Sequence, residues 1–106
     1  MSKSEPTLDM RLIRKAAGAA TAMLRVLANE DRLLLLCQLT DGEKNVSELE
    51  ALLDIHQPTL SQQLAVLRKE GLVETRREGK NIYYAVGDKK ELALLKTLYE
   101  LYCRNG

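Results

Sequence analysis

His56-Gln57-Pro58-Thr59-Leu60-Ser61-Gln62-Gln63-Leu64-Ala65-Val66-Leu67-Arg68-Lys69-Glu70-Gly71 is the stretch whose reading decides the fold. Leu60, Leu64 and Leu67 recur at helical spacing, which gives a short helix one apolar face. A solvated helix face normally carries Lys and Glu. This one carries Gln57, Thr59, Ser61, Gln62 and Gln63, side chains that can both donate and accept hydrogen bonds. Base edges in a major groove are read by that chemistry. Pro58 suits a first helical turn, where its missing N–H is no loss, and Gly71 suits the position just past the end. A glutamine-rich surface helix shows the same pattern, so the flanking sequence must decide between the two.

Upstream, Ser47-Glu48-Leu49-Glu50 reads as a capping box that opens a helix through Leu49, Leu52 and Leu53. Asp54-Ile55-His56 is then a tight connection. Two short helices joined by about three to four residues have the spacing of a helix-turn-helix. Downstream of Gly71 the period changes from helix to strand. Leu72 to Arg76 and Asn81 to Val86 form a two-stranded hairpin turned at Glu78-Gly79-Lys80. Such a hairpin is unstable alone and must lean on the helices. Its tip carries Arg76, Arg77, Lys80 and Asn81, a basic cluster suited to phosphates. Charged protection of an exposed strand edge is the competing explanation.

Toward the N-terminus, Asn29 or Asp31 can cap a helix running through Leu33, Leu34, Leu35, Leu36 and Cys37 to about Thr40. It is apolar nearly all round and is expected to be buried. Asp41-Gly42-Glu43-Lys44-Asn45 follows as a turn cluster. Before it, Leu8 to about Ala28 forms a long helix with a stripe of Leu12, Ala16, Ala19, Ala20, Met23 and Leu27, small enough in places for another helix to approach closely. Residues 1–7 are expected to be a disordered tail and residues 8–106 one domain. A last helix from Lys89 to about Cys103 has two apolar rows, Leu92, Leu95, Tyr99 and Tyr102 on one side and Leu94, Leu98 and Leu101 on the other. One row can pack on its own domain; the other is covered only by a second copy. The expected interface of a symmetric homodimer is therefore Leu12, Ala16, Ala19 and Met23 with Leu95, Leu98, Tyr99 and Tyr102.

The expected fold is mainly α with a β-hairpin wing: four helices, two strands and a closing helix, a winged helix-turn-helix. Gln57, Thr59, Ser61, Gln62 and Gln63 are the candidates for base-edge or phosphate contacts, and Arg68, Arg77 and Lys80 supply phosphate charge. Two-fold symmetry of the protein requires a pseudo-palindromic duplex. The 106-residue chain has a net charge of only +1, so positive charge must be concentrated on one face. No signal peptide or membrane span is read in the sequence, and a cytoplasmic location is expected. No Cys-x-x-Cys, phosphate loop or nucleophile with an adjacent base supports an enzyme. A winged helix used as a protein-interaction module remains the alternative to DNA binding.

The chain resembles the ArsR/SmtB family of bacterial winged-helix repressors from about Ala16 to Cys103. The likeness is carried by Leu27-Ala28-Asn29-Glu30-Asp31-Arg32-Leu33, Ser47-Glu48-Leu49, Gln57 to Arg68, Gly71-Leu72-Val73, and Arg76 to Lys80 with Tyr83-Tyr84. It implies a homodimeric repressor released from its operator by an effector. Metal sensing fits poorly. The third helix lacks the Cys-x-Cys of arsenic- and cadmium-sensing relatives, the last helix lacks histidine, and His56 is the lone histidine, better read as a turn or phosphate-contact residue. No cofactor is expected, although haem or another ligand is an alternative input. Cys37 and Cys103 instead resemble the cysteine pair of a sulfide- and redox-responsive branch of the family. That resemblance implies that the two join on oxidation or on reaction with persulfides. A buried Cys37 and an incidental terminal Cys103 is the bland alternative.

Overall fold

The computed structural model describes residues 7–104, so the tail expected over residues 1–7 lies, but for Thr7, outside the described residues. Helix α1 spans Met10–Leu27, with Asp9 accepting from the Arg11 amide at its start. Helix α2 spans Glu30–Leu39; Asn29 is its cap, accepting from the Arg32 amide at 3.0 Å, and Glu30 and Asp31 face the positive end of its dipole. Helix α3 (Val46–Leu53) begins one residue before Ser47. Its capping box is made by Asn45 and Glu48, not by Ser47 and Glu50: the Asn45 side chain accepts from the Glu48 amide while Glu48 accepts from the Asn45 amide, both at 2.9 Å. Helix α4 spans Thr59–Lys69. It ends in a Schellman motif, with Leu72 N–H on the Leu67 carbonyl and Gly71 N–H on the Arg68 carbonyl. Gly71 takes the positive φ of 79° that this motif needs.

The hairpin is not two-stranded on its own. Lys44–Asn45, expected as part of a turn, forms a short strand β1 that pairs with β3 (Asn81–Val86), and β3 pairs in turn with β2 (Val73–Glu78). Lys44 lies opposite Tyr84 and Asn45 opposite Tyr83. The residue that caps α3 thus also ties the helix-turn-helix to the wing. Gly79 and Lys80 form the tip, because Glu78 and Asn81 are the last paired residues.

The core is a cluster of leucines contributed by every layer: Leu35, Leu36 and Leu39 from α2, Leu49 from α3, Leu60, Leu64 and Leu67 from α4, and Leu95 from α5 (Lys89–Tyr99). Helix α2 is not buried all round, since Leu34 is 42% exposed. Burial of α1 is confined to its last turns, where Val26 and Leu27 join the core and Met23 packs beside it; Met10 to Ala22 is exposed throughout. After Tyr99 the chain does not continue as α-helix. Glu100–Arg104 forms a π-helical turn, closed by an ion pair of Arg104 with Glu100 at 3.3 Å. Four helices, a sheet-borne wing and a fifth helix make this a winged helix-turn-helix. Among the described residues no helix is long and apolar enough to cross a membrane.

Candidate nucleic-acid interface and thiol pair

Helix α4 sorts its polar residues by the demands of its apolar face. With Leu60, Leu64 and Leu67 turned inward, Thr59, Ser61 and Gln62 are exposed, as are Arg68 and Lys69 in the last turn. Gln57 and Gln63 are committed elsewhere. Gln57 Oε1 accepts from the Ser61 amide at 3.0 Å, closing the open end of the helix. Gln63 is half-buried, and its Oε1 accepts from Arg32 Nη1 at 3.1 Å, while Arg32 Nε donates to the Val26 carbonyl at 2.8 Å. Gln63 therefore faces α2 and not the groove-reading side. His56 fixes the turn: Nε2 lies 2.8 Å from Asp54 and Nδ1 3.5 Å from Glu50, beside an Asp54 backbone at φ 56°.

On the wing, Arg77 and Lys80 are exposed with no ion-pair partner among the described residues. Arg76 differs. It lies over the Tyr83 ring at 4.8 Å, donates to Glu78 at 3.0 Å, and grips Glu43 through both Nε and Nη2. That grip holds the Glu43 carboxyl below its usual range, chiefly through the hydrogen bond. Arg76 is thus a brace between the β1 turn and the wing, and the free charge at the tip belongs to Arg77 and Lys80. Nothing in the sequence distinguished Arg76 from Arg77 except strand alternation, which places them on opposite sheet faces.

The two thiols lie on α2 and on the turn that follows α5. Cys37 is half-buried on α2 and lines a cleft of about 710 Å³ with Leu34, Gln38, Leu53, Leu95 and Tyr99. Burial pushes the Cys37 thiol up, and the charge of Cys103 pushes it further. Cys103 is exposed on the π-helical turn. Both are free cysteines. Among the described residues no three His, Cys, Asp or Glu side chains form a group that could hold a metal ion.

Of the residues expected at a dimer interface, Leu12, Ala16 and Ala19 are exposed on α1, and Tyr99 and Tyr102 are 55% and 76% exposed at the C-terminal end. Leu98 and Met23 are half-buried. Leu95, expected at the interface, is 1% exposed and belongs to the core of its own subunit, and Leu94 of the other row packs against the same cluster. Leu101, assigned to the opposite row, lies on the π turn and is 58% exposed.

A helix with free Thr, Ser and Gln side chains beside a wing with free Arg and Lys defines a DNA-binding transcription regulator of the winged helix-turn-helix class. The family model of "Bacterial regulatory protein, arsR family" matches residues 29–75, from the cap of α2 into β2. A biofilm growth-associated repressor of Agrobacterium fabrum is 50% identical over 91% of this chain and 82% of that protein. The crystal structure of the repressor BigR from Xylella fastidiosa is similar with a TM-score of 0.86, at 43% identity over 91% of this chain and 98% of that one. A structure of reduced HlyU from Vibrio cholerae is similar with a TM-score of 0.82, at 40% identity over 88% of this chain and 98% of that one. The chain belongs to the ArsR family of bacterial regulators.

Proposed function

We propose that this protein is a homodimeric cytoplasmic repressor that holds a pseudo-palindromic operator while Cys37 and Cys103 are free and lets it go when they are joined. The observation that carries the reading is the position of half-buried Cys37 in a cleft lined by Tyr99 and Glu100, the residues that lead into the turn bearing the exposed Cys103. Two relatives named as repressors support the repressor part of this reading.

Chemistry begins at Cys103, the accessible sulfur. With an organic trisulfide, the Cys103 thiolate attacks an inner sulfur and expels one thiolate; Cys37 then attacks the transferred sulfur chain and expels the second. The products are a bridge of one extra sulfur between the cysteines and two molecules of small thiol. With peroxide, Cys103 becomes a sulfenic acid with release of hydroxide, and Cys37 displaces water to give a disulfide. A plain disulfide needs Cα atoms within about 7 Å, whereas an added sulfur spans more, so the gap selects the oxidant.

DNA recognition falls to Thr59, Ser61 and Gln62 for base edges, and to Arg68, Arg77 and Lys80 for phosphates, with Gln57 and Gln63 holding the helix. Dimerisation is assigned to α1, whose residues Met10 to Ala22 are exposed and whose Leu12 is 65% exposed. Tying α2 to the end of α5 moves the dimer seam and hence the spacing of the two reading helices. Peptide mass spectrometry after polysulfide treatment tests the chemistry. A Cys37–Cys103 cross-linked peptide carrying at least one added sulfur is expected; two separately modified peptides with no cross-link overturn it.

A further inference from the structure

Glu91 stands apart from every other charged residue described. It lies at the third position of α5, it is fully buried, and neither carboxylate oxygen has a hydrogen-bond partner among the described residues. Burying an ionised carboxylate unpaired is far more costly than burying the neutral acid. It borders a cavity of about 270 Å³ beneath the C-terminal turns of α1. That helix presents Ala19, Ala22, Met23 and Val26 to the cavity, none of them charged. From the end of α4 comes Glu70, and from the cap of α5 comes Asp88; Gly71 and Leu72 complete the wall, with no lysine or arginine in it. Every titratable group facing the cavity is therefore an acid.

We propose that Glu91 is a proton-operated latch for the C-terminal turns of α1. Neutral, it lies dry beneath Met23 and Val26 and the helix seats on the core. Ionised, it must be hydrated, and with no lysine or arginine in the wall to pair with it, hydration means parting α1 from α5. Geometry sets the direction and electrostatics agree with it: burial first, and the Asp88 charge second, push the Glu91 carboxyl up to about 7. An acid raised in the folded state contributes stability that is complete below its unfolded value and is lost as pH rises through its folded value. The working window thus runs from the ordinary carboxylate range up to about 7. Within it, the equilibrium for seating α1 weakens about tenfold for each unit of rising pH and is level above it. Because α1 is also the helix proposed to carry the dimer, acidification tightens the dimer. That last step rests on the proposed function, whereas the titration of Glu91 and the seating of α1 do not.

The test uses the full-length protein with both cysteines reduced. Carbon-detected NMR follows the Glu91 carboxyl with pH, and amide exchange, corrected for its intrinsic pH dependence, follows α1 residues 19–26. Near-neutral titration of Glu91, loss of α1 protection over the same window, and a pH-independent α1 in Glu91→Gln are expected. Asp88→Asn, which leaves Glu91 in place, lowers the midpoint and keeps the proposal testable if Glu91→Gln does not fold. Titration of Glu91 in the ordinary carboxylate range, or α1 protection that ignores its ionisation, overturns the latch. A dimer constant that ignores pH while both of those hold contradicts the homodimer reading and leaves the latch standing.

Discussion

Arg32 of α2 donates to Gln63 of the reading helix at 3.1 Å, across 31 positions of sequence. The same guanidinium holds the Val26 carbonyl at the end of α1, so one side chain joins three helices. Removing it leaves part-buried acceptors without a donor, at a cost of about 1–3 kcal/mol. Arg32→Ala is expected to lower the unfolding free energy by that amount, read as a lower denaturant midpoint at unchanged slope, and Gln63→Ala to lower stability while leaving the preference among duplexes unchanged. An altered sequence preference in Gln63→Ala contradicts its assignment as a brace.

Variants of Gln62 and Lys80 test the two proposed kinds of DNA contact. Gln62→Ala is expected to flatten the ranking of duplex sequences with little change in melting temperature. Lys80→Ala is expected to weaken all duplexes alike and to reduce the salt slope by about 1. Arg76→Ala, by contrast, is expected to leave the salt slope as it is, because Glu43 and Glu78 already occupy that charge. Binding isotherms at several salt concentrations distinguish the three.

These contrasts mark where the sequence could and could not be read. The Leu60, Leu64 and Leu67 period, Gly71 and the change to strand pattern were enough for the winged helix, because local geometry alone produces them. Gln62 and Gln63 are adjacent and chemically identical; only Arg32, far away in sequence, turns one of them inward. Asn45-Glu48 and Ser47-Glu50 both fit a capping box, and the choice is made by pairing of Asn45 with Tyr83 in the sheet. The π turn after Tyr99 has no marker in a leucine-rich helix, and the burial of Leu95 in its own subunit is decided by how α5 packs on the core, which the two apolar rows of the sequence left open.

Leu95 and Tyr102 test the division between subunit core and proposed dimer seam. Leu95→Ala opens a cavity in the subunit core and is expected to cost about 2–5 kcal/mol. Tyr102→Ala is expected to leave the subunit fold intact and to raise the dimer dissociation constant. Sedimentation equilibrium combined with denaturant melts reads both; a Tyr102→Ala protein that melts like Leu95→Ala contradicts the assignment.

Cys37 is held above the usual thiol range, so less of it is thiolate at neutral pH. Alkylation of the reduced protein is expected to reach Cys103 first and Cys37 only as the solution is made alkaline. Cys103→Ser removes one of the two causes of the shift, so Cys37 then reacts at lower pH. Peptide mapping across about pH 7 to about pH 9.5 measures the two rates.

The most direct test is the affinity for a duplex selected from random sequence by the reduced protein, measured by anisotropy before and after treatment with sodium polysulfide, in the parent chain and in Cys37→Ser. The account predicts a dissociation constant raised at least about tenfold by treatment of the parent, a loss of about 1.4 kcal/mol of binding free energy or more, with the variant unmoved. Unchanged affinity in the treated parent, or equal loss in Cys37→Ser, contradicts it.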